Sequence, residues 1–379
     1  SDANYAALRL RRTASTLELY RKDVTSMNNK TSTIVSILSL SFIITVLVYI
    51  ASGDDIPNRE NHVGRLHLAL SDSDRRDWSG DGPRPLAATV WYPASSENPE
   101  QEWRAGVFRF GYSALNAPFV DATPRPLIVL SHGTGGSAAQ LSWLAEHLVT
   151  GGYIVAAVNH HGNNAVENRQ WPAAFVLPAD RSRDLSVLIN KLLDHSEIGP
   201  RIDRDRIGAA GFSLGGYSVL GLAGIQLPSF DAWERRCSSR PDLSACQLPP
   251  EAEFGLEDID RMKSSDPTFQ SALERARTSV QDRRIGAVYA IAPALISLME
   301  ETDVSSDLKA EVKVIFAEKD EQITFSGTSH VLDQILPQSG VRVIAGATHY
   351  MFLAPCSIRG KFFLRSLCSD PVGINRRDV

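Results

Sequence analysis

The sequence predicts an α/β fold: a mainly parallel central sheet with helices on both faces and a cap-like insertion. Three observations carry this. Short, nearly continuous apolar runs recur from Pro126 onward, the composition of strands buried on both faces. Helical patterns lie between them, as a parallel sheet requires for its crossovers. A breaker-rich stretch from Leu227 to about Arg284, with a cysteine pair, prolines and many charges, then interrupts the rhythm and reads as an excursion over the sheet.

The elements follow in order. Val63–Leu70 and Leu86–Tyr92 read as strands, divided by the turn-rich S-G-D-G-P around Gly80. Residues 93–125, with Pro93, Pro99, Pro118 and Pro124, read as irregular. Pro126–Leu130 is the first short apolar run, and a helical pattern follows over Ser137–Thr150. Tyr153–Val158 is the next run. Asp180–Leu193 is an amphipathic helix with Leu185, Leu188, Leu192 and Leu193 on one face. Arg206–Gly211 is a strand and Leu214–Ile225 a helix. Ile285–Ile291, Val312–Phe316 and Val341–Ile344 complete the strands. There is no internal repeat and no low-complexity tract.

The chain has 379 residues, with 43% apolar and 22% charged residues, the balance of a packed globular protein. A net charge of −5 gives no basic excess to draw it onto nucleic acid. Residues 1–33 form a basic extension with Arg9, Arg11, Arg12, Arg21, Lys22 and Lys30. Ile34–Ile50 is apolar, broken only by Ser36, Ser39, Ser41 and Thr45, and Asp54 and Asp55 follow. Cations before and acids after orient the run with its N-terminus in the cytoplasm. Ala51 and Gly53 suit a signal-peptidase site, and Met27 opens a natural signal n-region, which leaves 1–26 as an upstream extension. The segment 34–53 is thus a cleaved signal or a retained membrane anchor, and 54–379 is the exported domain, periplasmic, secreted or tethered outside the cytoplasm. The bland alternative is a buried core helix. Export bears on the four cysteines, which fall into two close pairs, Cys237 with Cys246 and Cys356 with Cys368. An oxidising compartment would close each as a local disulfide; buried free thiols are the alternative.

The chemistry sits where strands end. G-F-S-L-G, Gly211–Gly215, joins an apolar strand to a helix. A nucleophile on a sharp strand-to-helix turn needs flanking glycines, and the helix N-terminus offers free N–H groups, that of Leu214 among them. This makes Ser213 the candidate nucleophile; a helix-capping serine in a glycine turn is the simpler reading. Upstream, S-H-G-T-G-G, Ser131–Gly136, follows the first short strand and has the form of a loop whose N–H groups complete an oxyanion hole, with Thr134 the second donor and His132 a loop-shaping residue. Of nine histidines, His349 lies in G-A-T-H-Y-M-F just after the last strand, at the sheet's carboxyl edge, and is the candidate base. His62 and His67 lie at the N-terminal edge, and His147, His195 and His330 on or beside helices. His160 and His161 precede the nucleophile. Asp320, four residues past Phe316, is the candidate orienting carboxylate, with Glu318 and Glu321 as rivals. The order Ser213, Asp320, His349 is that of α/β-hydrolases.

With these residues stated, the chain resembles the platelet-activating factor acetylhydrolase and predicted dienelactone hydrolase group of α/β-hydrolases, over roughly residues 63–355. The resemblance rests on A-A-T-V-W-Y-P (87–93), S-H-G-T-G-G, V-N-H-H-G-N (158–163), R-S-R-D-L-S-V-L-I (181–189), G-F-S-L-G-G and the Asp320 and His349 loops. It implies the α/β-hydrolase fold, a triad on Ser213, Asp320 and His349, and oxyanion donors on Thr134 and Leu214. The group usually has Pro where His161 stands. Dienelactone hydrolases use a cysteine nucleophile, and no cysteine here sits in an elbow.

The expected reaction is hydrolysis of a short-acyl ester or lactone through an acyl-enzyme, on a small-molecule substrate, with no cofactor or metal implied. Membrane association through Ile34–Ile50 belongs to the same reading. The rivals are a serine peptidase on the same fold and a catalytically inactive hydrolase-like binding module.

Overall fold

The computed structural model describes residues 61–249, 252–299, 308–323, 325–335 and 340–378. The expected extension, 1–33, and the apolar run Ile34–Ile50 lie outside the described residues.

A ten-stranded sheet in the order β10-β9-β8-β7-β5-β6-β2-β1-β4-β3 forms the centre. Its parallel part comprises β5 (Arg125–Ser131), β6 (Ile154–Asn159), β7 (Ile202–Phe212), β8 (Ile285–Ile291), β9 (Glu311–Ala317) and β10 (Val341–Ile344). These are the predicted runs, and Val129, Leu130, Val155, Ala156 and Val314 in them are fully buried. Both faces must therefore be covered. Helices Ser142–Thr150, Ala179–Leu193, Leu214–Ala223 and Phe325–Ile335 flank the strands. Helix Leu214–Ala223 is buried all round, which its apolar and glycine composition permits and a charged face would not.

A mainly antiparallel extension, parallel only between β1 and β4, continues the sheet. β1 (His62–Arg76) and β2 (Pro83–Ala94) contain the two predicted strands and pair as a hairpin, closed at Asp77–Gly82 and turned at Gly80, whose φ is +82°. β2 runs antiparallel to β6 and joins the two parts. Beyond β1 the structure departs from expectation. Residues 93–125 are not all irregular, for they contain β3 (Gln101–Ala105) and β4 (Phe108–Leu115). They end the sheet, with β3 at its edge. β4 pairs with β1 over only Gly64↔Ala114 and Arg65↔Leu115, and both strands are largely half-exposed, so they need no apolar run to form.

The stretch 227–284 leaves the sheet between helix Leu214–Ala223 and β8. It carries helices Phe230–Ser239, Leu256–Ser265 and Pro267–Ala276. Its apolar side chains Phe230, Ile259, Phe269 and Ala272 pack with Trp78, Ala173, Ala174 and Leu177 of the main body as a cluster of their own. Cys237–Cys246 closes a loop inside it, and Cys356–Cys368 pins the C-terminal segment, which are the two expected pairs.

Candidate active site

The parallel strands end at one edge, and the predicted residues gather there. β7 ends at Phe212, Ser213 makes the turn, and the next helix starts at Leu214. Ser213 has φ 55° and ψ −119°, a backbone state rare for a residue with a side chain. The surroundings enforce it. Ser213 N–H donates to Ile291 O at 2.8 Å, and Ala294 N–H donates to Ser213 O at 3.1 Å, so the end of β8 and the loop after it grip the turn from both sides. The flanking glycines are required by contact: a Cβ on Gly211 would meet Gly215 O at 2.2 Å, and one on Gly215 would meet Ser131 O at 2.0 Å.

His349 opens a short 3-10 turn after β10, and Asp320 lies in the loop after β9. His349 Nε2 lies 3.2 Å from Ser213 Oγ, and His349 Nδ1 lies 2.7 Å from Asp320 Oδ2. The other carboxylate oxygen, Oδ1, accepts the N–H groups of Gln322 and Ile323 at 2.9 and 2.8 Å. The carboxylate is therefore fixed on both sides. All three side chains are buried, and the Phe212 ring packs against the imidazole with centroids 4.8 Å apart. The rival acids are elsewhere: Glu318 accepts from Gly346 N–H, and Glu321 is exposed at the cavity rim. Such an ordered hydroxyl–imidazole–carboxylate series is the general arrangement for activating a serine.

Thr134 and Leu214 border the same cavity as Ser213 and His349. Leu214, first in its helix, has an N–H outside the helical ladder. The cavity measures about 620 Å³. Its walls include Phe175 and Val176 from the main body, Phe230, Trp233 and Leu248 from the insertion, and Leu298 from the loop after β8. The insertion thus covers the cavity beside Ser213, as expected of a cap. Among the described residues no cluster of His, Cys, Asp and Glu suited to a metal is present.

A second group of buried side chains lies behind the loop 131–136, and sequence reasoning missed it. Asp184 Oδ1 accepts from Arg75 at 2.6 Å and from Arg84 at 2.8 Å, and Asp184 Oδ2 lies 3.0 Å from His160 Nδ1. His160 Nε2 lies 2.9 Å from Ser131 Oγ, and His160 N–H donates to His132 Nε2 at 3.1 Å. His132 Nδ1 lies 2.7 Å from Gly133 O. One assignment satisfies every bond: both rings carry their proton on Nδ1 and accept at Nε2. Burial, then the charge of Arg181, keeps His132 well below the ordinary histidine range and His160 down at about 4. Asp184 is held well below the carboxylate range; its burial opposes this, and Arg84 and Arg75 prevail. The sequence signal was available in R-S-R-D and V-N-H-H-G-N, but only the fold brings the two stretches together.

The family model described as "Platelet-activating factor acetylhydrolase, isoform II" matches residues 111–175, a span that includes Thr134 and ends before Ser213. "Cutinase est1" of Thermobifida alba is 28% identical over 168 residues, 43% of this chain and 48% of that protein. "Cutinase 2" of Thermobifida cellulosilytica is 26% identical over the same length, 54% of that protein. A platelet-activating factor acetylhydrolase of Canis lupus familiaris is 24% identical over 28% of this chain and 33% of its own. A solved ferulic acid esterase from Streptomyces cinnamoneus superposes with a TM-score of 0.48 at 21% identity, over 79% of this chain and 78% of that one. The chain spans about half the length of the cutinases it matches. The mainly parallel sheet with its helices has the α/β-hydrolase fold, and the sequence likenesses fit that superfamily.

Proposed function

We propose that the protein is a carboxylic ester hydrolase working through an acyl-enzyme on Ser213. The observation that carries the reading is the series Ser213 Oγ to His349 Nε2 at 3.2 Å and His349 Nδ1 to Asp320 Oδ2 at 2.7 Å, set on a strained strand-to-helix turn. His349 takes the Ser213 proton as the hydroxyl attacks the acyl carbonyl. Asp320 holds the imidazole in the right tautomer and stabilises its cation. The N–H groups of Thr134 and Leu214 hold the oxyanion, each contributing about 3 kcal/mol to lowering the barrier. His349 then returns the proton to the departing alcohol. Water, activated by the same imidazole, releases the acid. The cutinases and acetylhydrolase among the relatives support an ester as substrate. The apolar walls support an uncharged, apolar group beside the scissile bond. The two disulfides support folding in an oxidising compartment, outside the cytoplasm.

The test is a panel of p-nitrophenyl esters of graded acyl length, run on the wild type and Ser213→Ala, with fluorophosphonate labelling alongside. The wild type should turn over esters and label at Ser213. The variant should lose roughly 10³-fold or more in rate with an unchanged melting temperature. Near-normal turnover in Ser213→Ala would refute the assignment. A wild type that hydrolyses peptides but no ester would move the reading to a peptidase.

A further inference from the structure

The group behind the loop 131–136 includes a cation that the proposed chemistry does not use. Arg181 lies in helix Ala179–Leu193 and is almost wholly buried. Its neighbours Arg75 and Arg84 bind carboxylate oxygens directly. Among the described residues, Arg181 is instead bonded to main-chain carbonyls. Nη1 donates to His132 O at 2.6 Å, and Nη2 donates to Gly133 O and Asn163 O at 3.3 Å each. Its nearest source of compensating charge is Asp184, three residues on, which acts through space. Burying a guanidinium against neutral acceptors is expensive. Closing a loop would ordinarily need only an amide or a hydroxyl.

One of the three peptides that the cation holds is the one between Gly133 and Thr134. Gly133 O accepts from Arg181, and it also receives Gly136 N–H at 3.2 Å and the His132 Nδ1 proton at 2.7 Å. In a trans peptide the C=O and the following N–H point in opposite directions. Three donors gathered behind Gly133 O therefore aim the N–H of Thr134 forward, to the side away from Arg181. Gly133 and Thr134 both lie beside the nucleophile. A Cβ on Gly133 would lie 3.3 Å from Ser213 Cβ, and Thr134 borders the cavity with Ser213 and His349. Had the 133–134 peptide turned over, a carbonyl oxygen would face the developing oxyanion and repel it.

We propose that Arg181 is a positioning residue that locks the 133–134 peptide with the Thr134 N–H presented to the oxyanion. The proposal rests on the ester-hydrolase reading given above. The lock is built before substrate arrives, because every bond in it lies within the protein. The His132–His160–Asp184 chain supports the same loop from its other end, through Ser131 and the His160 N–H. Arg181 and the His132 Nδ1 proton act at the turn, and His160 acts at the strand that feeds it.

Arg181→Gln, Arg181→Lys and Arg181→Ala in the full chain test it, with kcat and KM on a short p-nitrophenyl ester, circular dichroism, and inhibition by a trifluoromethyl ketone. That inhibitor's hemiketal oxygen needs the oxyanion donors, whereas KM reports ground-state binding. The expected result is a fall in kcat of about 10²- to 10³-fold, the effect of losing one oxyanion donor. KM should stay within about threefold, and the inhibition constant should rise in step with the loss in kcat/KM, since a transition-state mimic tracks transition-state binding. Added guanidinium chloride, at concentrations too low to unfold the chain, should restore part of the rate in Arg181→Ala only. Lys keeps the charge but lacks the fork that spans several carbonyls, so Arg181→Lys should stay folded and slow; it carries the test if Arg181→Gln aggregates. Folded variants with wild-type kcat and inhibitor affinity would overturn the proposal and leave Arg181 a stabilising residue only. A rate loss that merely follows the unfolded fraction, with no guanidinium rescue, would do the same. A wild type with neither ester turnover nor labelling at Ser213 would overturn the parent reading and this one together.

Discussion

Two regions face each other across the cavity and are built on opposite terms. Behind the loop 131–136, charges are buried and share their partners: Asp184 serves Arg75, Arg84 and His160 at once. In the insertion, ion pairs are open to water, as with Lys263–Glu234, Arg277–Asp231 and Arg240–Asp242. The first arrangement fixes atoms to within a fraction of an ångström, because moving any one leaves a buried charge unmatched. The second keeps helices soluble and lets their inner, apolar faces set the shape of the wall. In the function proposed above, chemistry that tolerates little error rests on the first, and discrimination among substrates on the second.

The sharpest way to break this contrast between buried and exposed charge is in the loop after β9, where Asp320 is buried and its neighbour Glu321 is exposed. Asp320→Asn keeps the shape but removes the charge that orients His349 and stabilises its cation. Its rate should fall by about 10⁴-fold, as for the buried acid of comparable triads. Glu321→Gln, on the exposed rim, should leave kcat within about twofold, as surface changes away from the chemistry do. The measurement is kcat on one ester at pH 7.5. If the glutamate variant is the slower, the orienting acid has been misassigned.

Asp184→Asn asks how far the buried group holds the fold itself. It leaves Arg84 with no carboxylate among its described partners and Arg75 with its Asp72 bond. Breaking a buried pair from one side costs about 3–5 kcal/mol. Urea denaturation should show that loss in the midpoint. A loss under about 1 kcal/mol would mean that water reaches the site and that the contrast with the insertion is overdrawn.

How much of this was legible beforehand follows from the same contrast. Ser213, His349 and Asp320 stand at the ends of apolar strands, and a strand end is a local pattern that a sequence carries openly. The cysteine pairs are local too, nine and twelve residues apart. β3 and β4 were missed because Arg104, Arg109 and Glu102 give them a loop's composition, and β3, at the sheet's edge, needs no apolar run. The Arg75–Asp184–His160–Ser131 group was missed for a different reason. Its members come from β1, helix Ala179–Leu193, the loop after β6 and the end of β5, and no spacing in the chain announces that they will meet.

Acid should act on that group. His160 faces Asp184, Ser131, the His132 ring, Arg181 and Arg84, and the folded chain holds its pKa at about 4 against an ordinary 6.5. The sign follows. Below 6.5 the unfolded chain binds a proton that the folded chain refuses until about 4. The stabilisation is complete above 6.5 and is lost progressively as pH falls through that window. The gap corresponds to about 3 kcal/mol. His132 is displaced in the same direction and adds to the slope. Unfolding free energy measured from pH 7.5 to 4.5 should therefore fall, and His160→Asn should flatten part of the fall. An unchanged slope in that variant would mean that the buried imidazole is not what the acid attacks.

The smallest effect belongs to the insertion. Lys263 Nζ lies 2.5 Å from Glu234 Oε2, a distance shorter than those joining Asp184 to its arginines. Distance alone would rank it the stronger. Solvent reverses the order: both side chains of the insertion pair are about a third exposed or more, at 40% and 32%, and water screens the pair while each long side chain gives up conformational freedom to hold it. A double-mutant cycle with Lys263→Ala and Glu234→Ala should give a coupling of about 0.2–1 kcal/mol, shrinking further in 0.5 M salt. The same cycle at Arg84 and Asp184 should give several times more and barely respond to salt, because no counter-ion reaches a side chain with no exposed surface. Equal couplings at the two sites would show that burial is not what separates them. The cap would then be as rigidly specified as the loop it covers, and a change of substrate would have to be sought in the sheet rather than in the insertion.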